Sequence, residues 1–114
     1  MRLVLDTSSI LYIVEKRLGL DPLALYELYI PYAVLEELYG LLKANRKARV
    51  ALRLLKLMAP FVAPVGGSAD AAVLAAAKEL GGVVLSGDAA LIHEARRAGL
   101  AVALFHDKDL VFPR

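Results

Sequence analysis

Five acidic residues of this chain follow, directly or within a helical turn or two, segments that read as buried strands. Asp6 closes the apolar run Leu3-Val4-Leu5 in "LVLDTSSIL", and Asp88 comes just after "VVLSG". Asp70 stands in the first turn of an alanine-rich helix behind a glycine loop, and Glu36 and Glu37 stand early in the helix after Leu28-Tyr29-Ile30. Parallel strands would bring all of these to one C-terminal sheet edge, where open α/β folds place their ligands. Carboxylates gathered there repel one another, which raises their pKa values and costs stability unless a cation neutralises them. Oxygen ligands with no Cys or His beside them suit a hard ion, Mg²⁺ or Mn²⁺ rather than Zn²⁺. Such an ion supports phosphoryl transfer, by activating a water and stabilising charge on the attacked phosphate. Each acid alone also has a plainer reading. Asp6 and Asp88 suit helix N-caps, Asp70 suits the helix dipole behind a Ser68 cap, and the glutamates suit a solvated surface.

The elements that must position these acids follow from the hydrophobic pattern. Short apolar runs at 2–5, 28–30, 61–65, 83–86 and 101–105 predict five strands. Helical spacing predicts helices over 8–18 with Gly19 as its stop, and over 32–45, 46–58, 69–80 and 89–98. Pro64 places the third strand at a sheet edge. The chain closes with His106-Asp107-Lys108-Asp109 and a short tail. Strands alternating with helices imply a parallel sheet covered on both faces, a three-layer α/β sandwich.

Composition narrows the class. The chain has 114 residues, a length that fits a single domain spanning 1–114 with a core of its own. It has no Cys, which excludes disulfides, thiolate zinc sites and iron–sulfur clusters. The first apolar run is cut at Asp6, and no apolar stretch approaches the roughly 20 residues of a spanning helix. A soluble cytoplasmic protein with no membrane partner is expected. The hydrophobic fraction of 59% exceeds the roughly 45–50% usual for globular domains. Some of that apolar surface is therefore expected to be covered by a partner. The absence of Gln and the single Asn45 suggest a thermophilic source.

Four motifs in this order resemble those of the PIN-domain nucleases, in particular the VapC-type toxin ribonucleases and stand-alone archaeal PIN proteins. "LVLDTSSIL" is similar to that family's opening motif, which implies Asp6 as a site residue with Thr7 and Ser8 as supporting hydroxyls. "IPYAVLEELYGL" resembles the second motif and implies Glu37, with Glu36 as its outward neighbour. "SADAAVLAAAKELGG" resembles the third and implies Asp70. "VVLSGDAAL" resembles the fourth and implies Asp88 with Ser86 in support. The likeness covers nearly the whole chain. It implies a PIN-like five-stranded parallel sheet of order 3-2-1-4-5 and a cleavage of RNA that depends on Mg²⁺ or Mn²⁺ held by Asp6, Glu37, Asp70 and Asp88. The chain departs from the pattern in three places. Ser86 stands where Thr is commoner, Ala71 follows Asp70 where relatives often carry a second acid, and the region between Leu42 and Pro60 is compact, which implies reduced substrate-gripping elements. The second departure motivates the alternative of a catalytically weak or inactive PIN-like scaffold.

Other features add candidates. Arg46, Arg49, Arg53 and Lys56 share a stripe of the third helix, opposite Leu52, Leu55 and Met58. They form either a solvated face or a track of RNA contacts. His93 and His106 are isolated, and Asp107 and Asp109 read as loop residues. Tyr26, Tyr29, Tyr32 and Tyr39 are expected to serve the core and the interface of a homodimer. A small antitoxin protein is a further candidate partner.

Overall fold

The computed structural model describes residues 1–113. Its centre is β1 (Arg2–Leu5), whose Leu3, Val4 and Leu5 are fully buried. A strand covered on both faces has no solvent side, which is why it reads as a continuous apolar run. β1 pairs in parallel with β2 (Glu27–Pro31) on one side and β4 (Val83–Leu85) on the other. In register, Leu3 stands between Leu28 and Val83. β3 (Phe61–Ala63) adds to β2 and β5 (Val102–His106) to β4, both in parallel. The chain therefore leaves β1 towards β2 and later returns to its other flank, which opens a switch-point crevice above β1.

Five helices cover the sheet: α1 (Thr7–Lys16), α2 (Tyr32–Gly40), α3 (Arg46–Met58), α4 (Ala69–Leu80) and α5 (Ala89–Arg97). The small residues of α4, with Ala72, Ala76 and Ala77 buried, let that helix lie close on the sheet. Gly81 ends it at φ +62, and a Cβ on Gly82 would stand 3.2 Å from Val4 Cγ2 and 3.3 Å from the Arg2 carbonyl oxygen. The glycine pair thus stops the helix and lets β4 draw up against β1.

The expected parallel order 3-2-1-4-5 is present, with one addition. A sixth strand, β6 (Asp109–Val111), pairs antiparallel with β5 and corrects the five-strand expectation. The turn of Asp107 and Lys108 is made by Asp107 at φ +54, a conformation that Asp tolerates better than most residues. The hairpin is held to α1 by Tyr12 stacked on Phe105 (centroids 5.4 Å apart) and by the Tyr12 hydroxyl donating to the Asp107 carbonyl at 3.1 Å.

Other boundaries also shift. The helix expected over 32–45 stops at Gly40, and a turn leads to Asn45, whose side chain accepts from Lys47 N–H to start α3. α1 ends at Lys16 with Arg17 in the left-handed region (φ 52), ahead of the Gly19 expected to stop it. β3 ends before Pro64, which offers no N–H to a sheet. Tyr26 and Tyr29 pack on the core, whereas Tyr32 and Tyr39 are exposed and take no part in it. No helix among the described residues is long and apolar enough to cross a membrane.

The core is contiguous across β1, β2, β4 and the inner faces of the helices, with Ile10, Leu38, Leu85 and Leu91 buried at its heart. Ile10 lies one turn below the end of β1, so its side chain ties α1 to the sheet. Ile10→Ala should lower the unfolding free energy by about 2–5 kcal/mol, read from urea denaturation curves.

Candidate active site

Asp6 is 4% exposed. A buried carboxylate needs donors, and it has them from two directions. Its own helix supplies the first: Asp6 caps α1, and its Oδ1 accepts from the Ser9 N–H at 2.9 Å. The Ser9 hydroxyl donates in turn to the Asp6 carbonyl oxygen at 2.9 Å. The second set crosses from the loop after β4. Ser86 Oγ donates to Asp6 Oδ2 at 2.6 Å and itself accepts from the Asp88 N–H at 2.9 Å. Ser8 Oγ lies 3.0 Å and 2.8 Å from the two Asp6 oxygens and accepts from the Gly87 N–H at 3.0 Å. Two backbone N–H groups of that loop are thus relayed through serine hydroxyls to one carboxylate.

Asp88 does for α5 what Asp6 does for α1. Its Oδ1 accepts from Ala90 N–H at 2.9 Å and Leu91 N–H at 3.4 Å. Ser68 caps α4 through the Ala71 N–H, which leaves Asp70 in the first turn of that helix, beside its positive end. Glu37 is presented by α2. Neither Glu37 nor Asp70 makes a hydrogen bond or ion pair through its side chain among the described residues.

Asp6, Glu37, Asp70 and Asp88 line a single cavity of about 280 Å³, together with Thr7, Ser8, Leu11 and Leu41. Among the described residues no cationic side chain lines it. Partial burial and the charges of Asp88, Asp6 and Glu37, in that order, push the Asp70 carboxyl above its ordinary value. Thr7 contributes a buried Oγ1 with no hydrogen-bond partner among the described residues. No group of three or more acidic or histidine side chains, again among the described residues, stands close enough to form a ready-made metal cage. The chemistry of the lining still fits a hard divalent ion. It offers carboxylate and hydroxyl oxygens, unopposed negative charge and one unused hydroxyl. An ion such as Mg²⁺ takes few protein ligands and keeps several waters.

Of the glutamate pair, Glu37 faces the cavity and Glu36 does not. Ser86 does not line this cavity; it donates to Asp6 and lines a separate, smaller cavity of about 210 Å³. Arg46, Arg49, Arg53 and Lys56 lie along α3, outside the acidic cavity, as do the exposed His93, His106, Asp107 and Asp109. Three contributors carry no separate signal in the motifs. Leu11 and Leu41 form its apolar walls, and Ser9 fixes Asp6 from the third position of α1. The Ser9 contact has a local signature, because an N-cap side chain characteristically accepts from the second or third N–H of its helix.

A parallel α/β sheet with an acidic cavity at its switch point defines a protein built to bring charged oxygen ligands together at one sheet edge. Residues 3–114 match the PIN domain family, and the chain belongs to it. The architecture is similar to that of the PIN domain endonuclease Utp24, with a TM-score of 0.85 at 20% identity, covering 99% of this chain and 91% of that one. A domain of a functionally unknown protein from Methanocaldococcus jannaschii DSM 2661 aligns with a TM-score of 0.65 at 18% identity, over 92% of this chain and 91% of the other. A PilT N-terminus domain protein from the hyperthermophilic archaeon Sulfolobus solfataricus P2 aligns at 0.57 and 15%, over 91% and 87%. At these identities the likeness is one of fold. Comparison of the sequence with curated proteins gives no match.

Because the folded chain holds the Asp70 proton more tightly than the unfolded chain does, ionising Asp70 costs stability. The cost is absent below the unfolded carboxylate range and complete once the pH has passed the raised value. Without divalent ions, Asp70→Asn should therefore raise Tm at pH 7 by about 1–3 °C, a small gain because the side chain is largely exposed. In scanning fluorimetry the gain should vanish below about pH 3.5. Ser86→Ala should instead destabilise, by about 1–3 kcal/mol in urea titrations, because Asp6 stays buried with a donor removed.

Proposed function

We propose that this PIN domain is a metal-dependent endoribonuclease that hydrolyses RNA phosphodiester bonds. The observation that carries the reading is the meeting of Asp6, Glu37, Asp70 and Asp88, from four separate elements, in one cavity to which no described residue brings a balancing positive charge. A structure that gathers four repelling acids loses stability unless their charge is used. Asp6, Asp88, Asp70 and Glu37 are the residues that would hold Mg²⁺ or Mn²⁺. Bound there, the ion would lower the pKa of a coordinated water and offset charge on the attacked phosphate. Asp6 is suited to the central position because Ser8, Ser9 and Ser86 fix its orientation before any ligand arrives. Among the described residues, the Thr7 hydroxyl is the one unsatisfied buried donor beside it. Utp24, whose fold this chain shares, is a PIN domain endonuclease.

The finer role of a toxin held by a small inhibitory partner is favoured by the exposure of large apolar side chains, Leu25, Leu57, Phe61 and Val62 among them. A second reading, a PIN-like scaffold without catalysis, is favoured by a different observation. Asp6 is already engaged by three protein donors, and among the described residues no three acids close around one point. Metal titration by calorimetry separates the two. Binding of Mn²⁺ that is lost in Asp6→Asn and Asp88→Asn rejects the scaffold.

Incubated with a structured RNA and Mn²⁺, the wild type should cleave, and EDTA should stop it. Asp6→Asn keeps the cap, since Asn serves as well as Asp at that position. It should nevertheless lower the cleavage rate by about 100-fold or more, roughly 2.7 kcal/mol of barrier. Undiminished cleavage by this variant would falsify the site assignment.

A further inference from the structure

A cavity lined by four acids repels the polyanion it is proposed to cut, so attraction has to come from elsewhere on the molecule. The sequence concentrates it in one segment. Between Glu37 and Asp70 the chain carries six of its 14 Lys and Arg residues and none of its 12 Asp and Glu. Both flanking acids line the cavity, so the basic segment leaves from the site and returns to it.

The structure gives this segment a shape. Lys43, Arg46, Arg49 and Arg53 line a concavity of about 390 Å³ over the start of α3, with Leu42 and Val50 between them. Leu42, in this concavity, directly follows Leu41, a wall of the acidic cavity, so the two hollows lie at neighbouring points of the chain. The stripe formed by Arg46, Arg49, Arg53 and Lys56 runs about 15 Å along the helix. α3 turns its other side, Ala48, Ala51 and Leu55, to the core. Of the basic residues on α3, Lys47 alone makes an ion pair among the described residues, with Glu15 at 3.3 Å. Arg46, Arg49 and Arg53 make no ion pair among the described residues. A merely solvated helix face would mix both signs, as exposed helix surfaces ordinarily do.

We propose that this concavity binds the phosphate backbone of the nucleic-acid strand flanking the bond to be cleaved. The inference rests on the endonuclease reading above. It adds where the substrate is gripped and by what: phosphates, read without regard to base sequence, since no aromatic side chain among the described residues lines the hollow.

The test is fluorescence anisotropy of a fluorescein-labelled 12-nucleotide oligouridylate, bound to the Asp6→Asn protein so that the probe stays intact, over a series of salt concentrations. Adding Arg46→Ala, Arg49→Ala and Arg53→Ala together should weaken binding about tenfold or more at low salt. It should also make the slope of log affinity against log salt shallower by about 2, at roughly 0.7 for each single-strand phosphate that the variant no longer neutralises. The matching triple Arg→Lys variant should keep the slope, and Arg96→Ala with Arg97→Ala on α5 should change affinity less than twofold. An unchanged slope in the triple alanine variant overturns the proposal. So does an equal loss in the α5 variant, or displacement of the probe by polyglutamate at equal charge concentration, which would mark a surface for acidic protein. Failure of the two readings is distinguishable. RNA cleavage with a slope indifferent to the arginines removes the phosphate track alone. An arginine-dependent slope without cleavage by the wild type supports the track and removes the nuclease.

Discussion

The relay from the loop after β4 to Asp6 is the constraint on which the site depends. A carboxyl group at the end of a buried central strand is tolerated only if hydrogen-bond donors reach it. Here the Gly87 and Asp88 N–H groups reach it through Ser8 and Ser86, and the first turn of α1 reaches it directly. The same bonds join the loops that follow β1 and β4, the two strands flanking the switch point. Structural and chemical readings of Asp6 therefore coincide. It is a helix cap, and being a cap is what holds one buried charge at the floor of the cavity.

The remaining acids are arranged differently. Asp88 is also a cap, but Glu37 and Asp70 have no side-chain partner among the described residues and face each other's charge across the cavity. One side of the site is thus rigid and satisfied, and the other is repulsive. The asymmetry suits a ligand that supplies positive charge and keeps part of its own hydration. It also explains why the acids share a cavity without closing into a cage.

Much of this was legible in the sequence where a local signal coincided with the element. Ser68 and Gly81 bracket α4, Asp88 opens α5, and the run Leu3-Val4-Leu5 is what a doubly covered strand must look like. The order of the strands came from a likeness of four motifs, and the sheet has it. Local signals failed where they were ambiguous or masked. Leu41 and Leu42 carry the apolar period of α2 past its end and mask the break after Gly40, which Asn45 marks only as the cap of the next helix. β6 follows a two-residue turn whose usual mark is a glycine, and Asp107-Lys108 has none. The choice of Glu37 over Glu36 needed the orientation of α2, which the motif supplied and spacing alone did not. The serine relay is out of reach of any local pattern, because its ends lie 80 residues apart.

That separation has a consequence for how the protein comes into being. Ser86, Gly87 and Asp88 belong to the last third of the chain, and β4 must insert beside β1 before any of them can reach Asp6. Parallel pairing across such a distance is slow compared with the local folding of a helix. A chain emerging from the ribosome therefore has only the local bonds from Ser8 and Ser9 on Asp6 until most of this domain has been made. The cavity is complete only when the sheet closes, and a chain cut short before β4 lacks both Ser86 and Asp88.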